Sequence, residues 1–288
     1  MNRQILVVGL PSAGKTTFLA ALWHVLHSEE IPEALRLSSL SGDAEYLNAI
    51  KDEWIQYAPV TRTSQQSERT IQMSLLDPVS KAQCELTIPD LSGETYRHQW
   101  TDRLWTDAFE KLAKDASSLL VFVHPNQLIE PIEIAEAKKY LPEDGNDPHG
   151  EPGQQSASVA VEPVWEPERA ASIVQLVDVL QMISETLGRK FRVAIVVSAW
   201  DLLKDTKYKT PEQYIEDKGS LLHQFLETNP ELFDFKIFGI SAIGCSLDDA
   251  DAKRDLQKKE SASERIKVVS GGSSTHDITA PLKWLLEW

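Results

Sequence analysis

Short runs of aliphatic and β-branched residues alternate along the chain with longer segments in which apolar residues recur every three or four positions. The short runs predict strands at 5–8, 119–123, 193–197 and 235–240. Two further runs, 69–76 and 84–88, flank the turn signal Asp77-Pro78 and predict a β-hairpin. The longer segments predict helices at 15–27, 96–114, 169–187, 211–227 and from about residue 280 onward.

Strands that alternate with helices must be joined by crossover connections, which place helices on both faces of a largely parallel sheet. The pattern therefore predicts an α/β fold with a mostly parallel sheet and one antiparallel strand. Two polar stretches interrupt it. Residues 142–168 hold five prolines, three glycines and seven acidic residues without Lys or Arg, and residues 245–275 hold six acidic and six basic residues. Both lie between predicted core elements, so we expect surface insertions in a single domain over 1–288.

The charge balance excludes some classes of partner. The chain has 29 Lys and Arg against 44 Asp and Glu, a net charge of −15. Neutralising phosphates needs a basic face, so we expect neither a nucleic-acid partner nor an anionic membrane surface. No apolar window reaches the length of a membrane span, and the start of the chain does not resemble a signal peptide. These features predict a cytoplasmic globular protein.

Candidate chemistry begins directly after the first predicted strand. Residues 9–16 read GLPSAGKT and fit the phosphate-loop pattern G-x-x-x-x-G-K-[ST], followed at once by a predicted helix. The glycines let the backbone approach phosphate oxygens, and the helix N-terminus adds partial positive charge. Lys15 is expected to bridge the β- and γ-phosphates, and the Thr16 hydroxyl is expected to ligate Mg²⁺. Pro11 has no N–H to offer, so one donor of the loop is absent or not needed.

A second candidate segment follows the strand at 84–88. An acidic residue at a strand end can hold Mg²⁺ through water, and Asp90 stands there. Three residues later, the N–H of Gly93 can meet a γ-phosphate, which makes this loop sensitive to hydrolysis.

Two later strand ends carry residues suited to a purine base. The strand at 193–197 is followed by Ser198-Ala199-Trp200-Asp201, and a carboxylate there can accept hydrogen bonds from the N1–H and exocyclic amine of guanine. Adenine lacks this donor pair and would leave the charge unpaired. Ser241-Ala242 follows the strand at 235–240, where backbone N–H groups can meet the guanine O6.

With these motifs in this order, the chain resembles the Ras-like GTPases of the translation-factor-related class, and most resembles the bacterial double-GTPase type of conflict and signalling systems. Residues 9–16 match the first family motif, 90–93 the third, 198–201 the fourth and 241–242 the fifth. The resemblance implies a three-layer, Ras-like G domain that binds GTP or GDP with Mg²⁺. It also implies a protein effector or regulator, which could be a second GTPase.

Four positions depart from the family pattern or stay open. Ser198 and Ala199 stand where the family has Asn or Thr followed by a lysine, which lies on the base and braces the phosphate loop. Glu94 stands where many members place a glutamine that orients the attacking water. For the family's first-switch threonine, the candidates are Thr61, Thr63, Ser64 and Thr70, and we select Thr63.

The candidate site is thus defined by residue. Its nucleotide-binding members are expected to be Gly9, Ser12, Ala13, Gly14, Lys15, Thr16, Thr17, Gly93, Ser198, Asp201, Ser241 and Ala242. The metal ligands are expected to be Thr16, Thr63 and Asp90, and the catalytic residues Lys15, Thr63 and Glu94. Trp100 follows the third motif and is a candidate for a partner surface.

Three functions remain open at this point. The first is a Mg²⁺-dependent GTPase switch that acts on a protein partner. The second is a nucleotide-binding interaction module with negligible turnover, which Ala199 and Glu94 favour modestly. The third is an ATPase or kinase, for which Asp201 and the fifth motif would be coincidental.

Overall fold

A computed structural model of the chain describes residues 3–60, 70–89, 100–131 and 170–287. The strands are β1 (Arg3–Gly9), β2 (Arg36–Ser41), β3 (Ile71–Leu76), β4 (Gln83–Ile88), β5 (Ser118–Val123), β6 (Phe191–Ser198), β7 (Phe233–Ser241), β8 (Lys267–Ser270) and β9 (Ser273–Thr275). The helices are α1 (Lys15–Ser28), α2 (Ala44–Ile55), α3 (Asp107–Asp115), α4 (Ser172–Leu187), α5 (Pro211–Lys218), α6 (Ser220–Thr228), α7 (Ala250–Gln257) and α8 (Ala280–Leu286).

The nine strands of these residues form one sheet in the order β2-β3-β4-β1-β5-β6-β7-β8-β9. Its centre, from β4 to β7, is parallel, and β3 forms the predicted antiparallel hairpin with β4. The predicted mostly parallel α/β sheet is confirmed. A second strand, β8, also runs against the parallel centre because it pairs antiparallel with β7. The carboxyl ends of the central strands therefore share one edge of the sheet, which is where a ligand site is expected.

The central strands are buried on both faces, as strands of a parallel sheet should be. In β1, Ile5 and Val7 point into one hydrophobic cluster with α1, α2 and α8. The alternate residues Leu6 and Val8 point into a second cluster with α3, α4, α5 and α6. This alternation produces three layers, with the sheet between two sets of helices, and each cluster excludes water from one face of the sheet.

Two predicted helices are interrupted. Among the described residues, the segment expected as one helix over 96–114 is helical at 100–102 and again at α3. It is broken between them, where Arg103 has a positive φ of 52° and Thr106 caps α3 by accepting from the Phe109 N–H at 3.2 Å. The helix expected over 211–227 is divided at Gly219 into α5 and α6, in keeping with the low helix propensity of glycine. None of the helices in the described residues has both the length and the apolar character needed to cross a membrane.

Several elements go beyond the predicted set. The strand β2 and the helix α2 lie between α1 and the hairpin, and the stretch 245–275 supplies α7, β8 and β9. Ile266 and Val268 in that stretch are buried in the core, so this part of the expected surface insertion also extends the sheet. The other expected insertion, 142–168, lies outside the described residues.

A buried arginine fastens the end of α2 to the segment before β8. The Arg265 guanidinium carbon lies 3.4 Å from the centre of the Trp54 ring and 4.3 Å from that of Tyr57. Its Nη2 donates to the Trp54 carbonyl at 2.5 Å, and its Nη1 donates to the Ile55 carbonyl at 3.4 Å. These carbonyls belong to the last turn of α2, and the Trp54 carbonyl also accepts from the Tyr57 N–H at 3.2 Å. Arg265 therefore combines a stacked packing contact with a C-terminal cap.

Replacing Arg265 by methionine should lower the free energy of unfolding by about 2 kcal/mol, because similar volume is kept while the buried Trp54 carbonyl and the half-buried Ile55 carbonyl lose their charged donor. Urea denaturation measures this loss. The matched control is Arg254→Met on α7, where the arginine is exposed and pairs with the exposed Asp251, and it should change stability by less than about 0.5 kcal/mol. Equal effects of the two substitutions would show that the cap does not stabilise the fold.

Candidate nucleotide-binding site

The phosphate-loop sequence occupies the carboxyl end of the central strand β1. β1 ends at Gly9 and α1 begins at Lys15, so the loop joins a buried strand to a helix N-terminus. Gly14 has a φ of 90°, and a Cβ atom at this position would lie 2.8 Å from the Ser198 Oγ. Both the backbone conformation and the space therefore require glycine here.

Positive charge is concentrated at this loop. The Lys15 Nζ donates to the carbonyls of Gly9 at 2.7 Å and Leu10 at 2.9 Å, so the ammonium group lies against the loop. The first turn of α1 contains no acidic residue, which leaves the partial positive charge of the helix N-terminus unopposed within that turn. Thr16 and Thr17 follow in the same turn. This is an arrangement that attracts anions.

Ser198 fastens the phosphate loop to the neighbouring strands. Its Oγ donates to the Ala13 carbonyl at 2.8 Å and lies 3.2 Å from the Val123 carbonyl. Ser198 is the last residue of β6 and is buried, so this hydroxyl connects β6, β5 and the loop at one point.

Asp201 and Ser241, which stand 40 positions apart in the chain, meet at the next strand ends. The Ser241 Oγ donates to the Asp201 Oδ1 at 2.5 Å, and the same Oγ accepts from the Gly244 N–H at 3.1 Å. The fourth and fifth motifs are thus joined by a hydrogen-bonded chain that fixes the carboxylate. An oriented carboxylate of this kind can read a pair of N–H donors.

A pocket of about 310 Å³ connects the loop to these motifs. Its wall includes Gly14, Thr17, Ser198, Ala199, Asp201 and Ala242, which were predicted as members of the site except for Ala199. Its floor is apolar and includes Phe18, Phe122, Val196 and Ile240. A cavity of this size with a few polar groups around an apolar floor suits a small planar ligand.

The direction of Trp200 is now settled. Its ring is 8% exposed and packs on Gly239, where a Cβ would come within 2.7 Å of the ring. Trp200 therefore lies under the strand end and not among the residues that line the 310 Å³ pocket. Trp200 also lines a neighbouring cavity of about 450 Å³, together with Asp201, Ser241 and Gly244.

One buried hydrogen bond ties α2 to the fifth motif. The Trp54 Nε1 donates to the Ala242 carbonyl at 2.9 Å. The Arg265 guanidinium stacks on the ring of the same Trp54. The backbone of the fifth motif is therefore held by a helix that leads toward the residues of the expected first switch.

Four of the predicted site residues lie outside the described residues: Thr63, Asp90, Gly93 and Glu94. The strand β4 ends at Ile88, two residues before Asp90, and it lies beside β1 in the sheet. Among the described residues there is no cluster of three or more His, Cys, Asp and Glu side chains that could hold a metal ion. The roles predicted for these four residues stay predictions.

The pocket also contains residues that the sequence analysis did not select. His124 and Asn126 reach it from the end of β5, and Ile243, Cys245, Ser246 and Leu247 reach it from the loop after β7. The available signal was their position directly after a parallel strand, at the same sheet edge as the recognised motifs.

Trp100, the candidate for a partner surface, is placed differently from that expectation. It is only 8% exposed and belongs to the hydrophobic core beside α3 and α4.

The sequence profile described as Double-GTPase 1 matches residues 6–285, which is almost the whole chain. The chain belongs to the Double-GTPase 1 family. This membership confirms the resemblance to Ras-like P-loop GTPases of double-GTPase type and identifies the chain as a GTP-binding GTPase domain. A comparison with curated protein sequences found no match.

Solved structures similar to this Double-GTPase 1 chain have low sequence identity to it. The bacterial selenocysteine-specific elongation factor EF-Sec is 13% identical with a TM-score of 0.39, over 88% of this chain and 28% of that one. The S. cerevisiae Ski7 GTPase-like domain bound to GTP is 15% identical with a TM-score of 0.46, over 100% of this chain and 50% of that one. The signal recognition particle receptor complex from Chaetomium thermophilum is 12% identical with a TM-score of 0.40, over 85% of this chain and 93% of that one. The chain therefore spans only a part of the first and second of these proteins.

Proposed function

We propose that this Double-GTPase 1 domain is a Mg²⁺-dependent GTPase switch that acts on a protein partner, which could be a second GTPase. The observation that carries the proposal is the hydrogen-bonded set of Asp201, Ser241 and Gly244 beside the phosphate loop. It supports a site for a guanine base in the pocket that Asp201 shares with Gly14 of the phosphate loop.

The residues fit a nucleotide at both ends. Lys15 and the first turn of α1 would hold the phosphates, and Asp201 would accept the N1–H and amino protons of guanine. Thr16 would offer its hydroxyl to Mg²⁺ at the start of α1. The bound ion would neutralise developing charge on the transferred phosphoryl group. Glu94 and Thr63 are proposed to complete the site from the two switch segments.

The second candidate function is an interaction module that binds GTP with negligible turnover. One observation favours it specifically, which is that Ala199 lines the pocket where the family has a lysine. A weaker contact to the base need not stop hydrolysis, so this observation alone does not outweigh the switch. The third alternative, an ATPase or kinase, would leave the oriented Asp201 carboxylate without its matching donors.

Incubation of the purified chain with Mg²⁺ and radiolabelled GTP or ATP separates these functions. The switch predicts preferential cleavage of GTP to GDP, and the module predicts tight retention of uncleaved GTP. Preferential ATP turnover would contradict both and favour the third alternative. Addition of excess EDTA should release the nucleotide if Mg²⁺ is part of the site.

A Trp54→Phe substitution should weaken GDP and GTP binding about three- to tenfold. Phenylalanine keeps the aromatic contact with Arg265, but the Ala242 carbonyl loses its buried donor, which costs about 1–2 kcal/mol. Part of this cost should appear as looser positioning of the fifth motif. Titration with a fluorescent guanine nucleotide measures the change.

The control for this substitution is Trp284→Phe on α8, where the ring stacks on Arg192 at 4.1 Å and does not line the pocket. It should leave nucleotide affinity unchanged. If Trp54→Phe destabilises the fold while the folded protein binds nucleotide normally, the hydrogen bond does not support the base site.

A further inference from the structure

With alanine at position 199 in place of the family's lysine, none of the predicted site residues is placed to pack against the base of a bound nucleoside. Ser198 already fastens the phosphate loop through the Ala13 carbonyl at 2.8 Å. Ala199 has a φ of 47° and a ψ of 43°, and beyond its Cβ it has nothing to place over a nucleoside. Trp200 packs against Gly239 and does not line the 310 Å³ pocket. Within that pocket, a wall against the sugar and base can come from the neighbouring strand ends.

Ala199 follows β6, and one of the two strands beside β6 is β5, which lies between β1 and β6 in the sheet. β5 ends at Val123, and His124 follows as a half-buried residue of the pocket wall. This register places His124 between the phosphate loop after β1 and the fourth motif after β6. His124 and Asp201 line the same pocket.

The orientation of the His124 ring is fixed by the backbone. Its Nδ1 accepts from the Asn126 N–H at 3.1 Å and caps the short 3₁₀ helix Pro125–Gln127. An accepting Nδ1 has no proton, so the neutral ring holds its proton on Nε2. Burial lowers the pKa of the His124 imidazole, although the Asp201 carboxylate opposes this effect, and the neutral form is therefore favoured. Among the described residues, none forms a hydrogen bond with Nε2.

We propose that His124 is a nucleoside-binding residue that takes over the base-side task of the absent lysine, with its ring packed against the bound guanine nucleoside and its Nε2–H donated to an acceptor atom of the sugar or base. The inference rests on the proposed function of the pocket. A cap alone requires only the acceptor that Asn, Asp or Ser supplies at many helix starts. The imidazole adds a planar surface and a second, opposite donor, and both are placed at a pocket that already contains the base-reading carboxylate.

Two substitutions separate this role from simple capping. His124→Asn keeps an acceptor close to the position of Nδ1 and removes the ring and the Nε2 donor. His124→Gln places an amide N–H near the position of Nε2 and gives up the short-range cap. The binding role predicts that His124→Asn weakens GDP binding about tenfold and that His124→Gln restores it to within about threefold. A purely structural role predicts the reverse order.

The measurement is isothermal titration of the full chain with GDP in the presence of Mg²⁺, combined with thermal melts without nucleotide. His223→Asn on α6 is the matched control, because His223 contacts Glu227 and Phe235 and does not line the pocket. It should bind GDP like the unmodified chain. Equal GDP affinity of His124→Asn and the unmodified chain would overturn the inference and leave the proposed function intact. If the unmodified chain binds no guanine nucleotide, the proposed function fails and the inference fails with it.

Discussion

Replacing Lys15 by alanine is expected to weaken the binding of GTP and GDP about 10²- to 10³-fold and to abolish turnover while the protein remains folded. The Lys15 Nζ is held against the loop by the carbonyls of Gly9 and Leu10, so its charge is already positioned before a phosphate arrives. Loss of one charged partner from a partly buried ion pair costs about 2–5 kcal/mol, which corresponds to this range. Titration with labelled nucleotide and a turnover assay measure the two effects.

The control for Lys15 is Lys111→Ala on α3, where the lysine is exposed. It removes the same charge from the chain and should leave binding unchanged, so a difference between the two variants cannot result from net charge. GMP provides a further test, because it lacks the phosphates that Lys15 is proposed to contact. Its weak binding should be nearly equal in the unmodified chain and in Lys15→Ala. Unchanged GTP affinity in Lys15→Ala would reduce residues 9–16 to a structural glycine turn.

The parts of the fold that could be predicted are those whose signal is local. The phosphate loop has its glycines and lysine at fixed spacing, and β1, β5, β6 and β7 are short apolar runs with clear ends. The hairpin also has a local signal, because its two alternating runs flank a turn. Such signals do not depend on distant residues.

The elements that were not predicted have weak or mixed signals. The strand β2 reads RLSSLS and is only partly buried, so its apolar positions are too few to distinguish it from a loop. The helix α2 does carry a signal, because Leu47, Ile50 and Trp54 recur at helical spacing after the N-cap Asp43. The strand β8 follows a long polar stretch, and its burial depends on pairing with β7. For β2 and β8, tertiary contacts determine whether the segment forms a strand.

The candidate site also has features that the sequence could predict and features that depend on tertiary contacts. Asp201 and Ser241 could be selected because each follows a predicted strand, but their hydrogen bond depends on β6 and β7 being neighbours in the sheet. The direction of Trp200 depends on the space above Gly239, a residue 39 positions away, which no local pattern contains. Sequence thus finds the residues that carry the chemistry, and the sheet order decides which of them meet.

Substituting Asp201 by asparagine should weaken guanine nucleotide binding about 10³-fold and create a preference for xanthine nucleotides. Guanine presents two donors, N1–H and the amino group, and an asparagine can accept only one of them while its own N–H₂ faces the other. The cost of such an unpaired, opposed donor pair is about 2–4 kcal/mol or more. Xanthine has an oxygen in place of the amino group, so the asparagine N–H₂ regains a partner.

The contact with Ser241 defines which way the new amide should point. The Ser241 Oγ donates to the Asp201 Oδ1, so an asparagine should keep its oxygen on this side and direct its N–H₂ toward the base. Competition of XDP against GDP, in the unmodified chain and in Asp201→Asn, measures the change of base preference. The control is Asp205→Asn, because Asp205 is exposed and does not line the pocket. An Asp201→Asn variant that loses GDP without gaining XDP would indicate that Ser241 holds the amide the other way round. Retention of GDP affinity by this variant would show that the carboxylate does not read the base, and the 310 Å³ pocket would then need a different ligand.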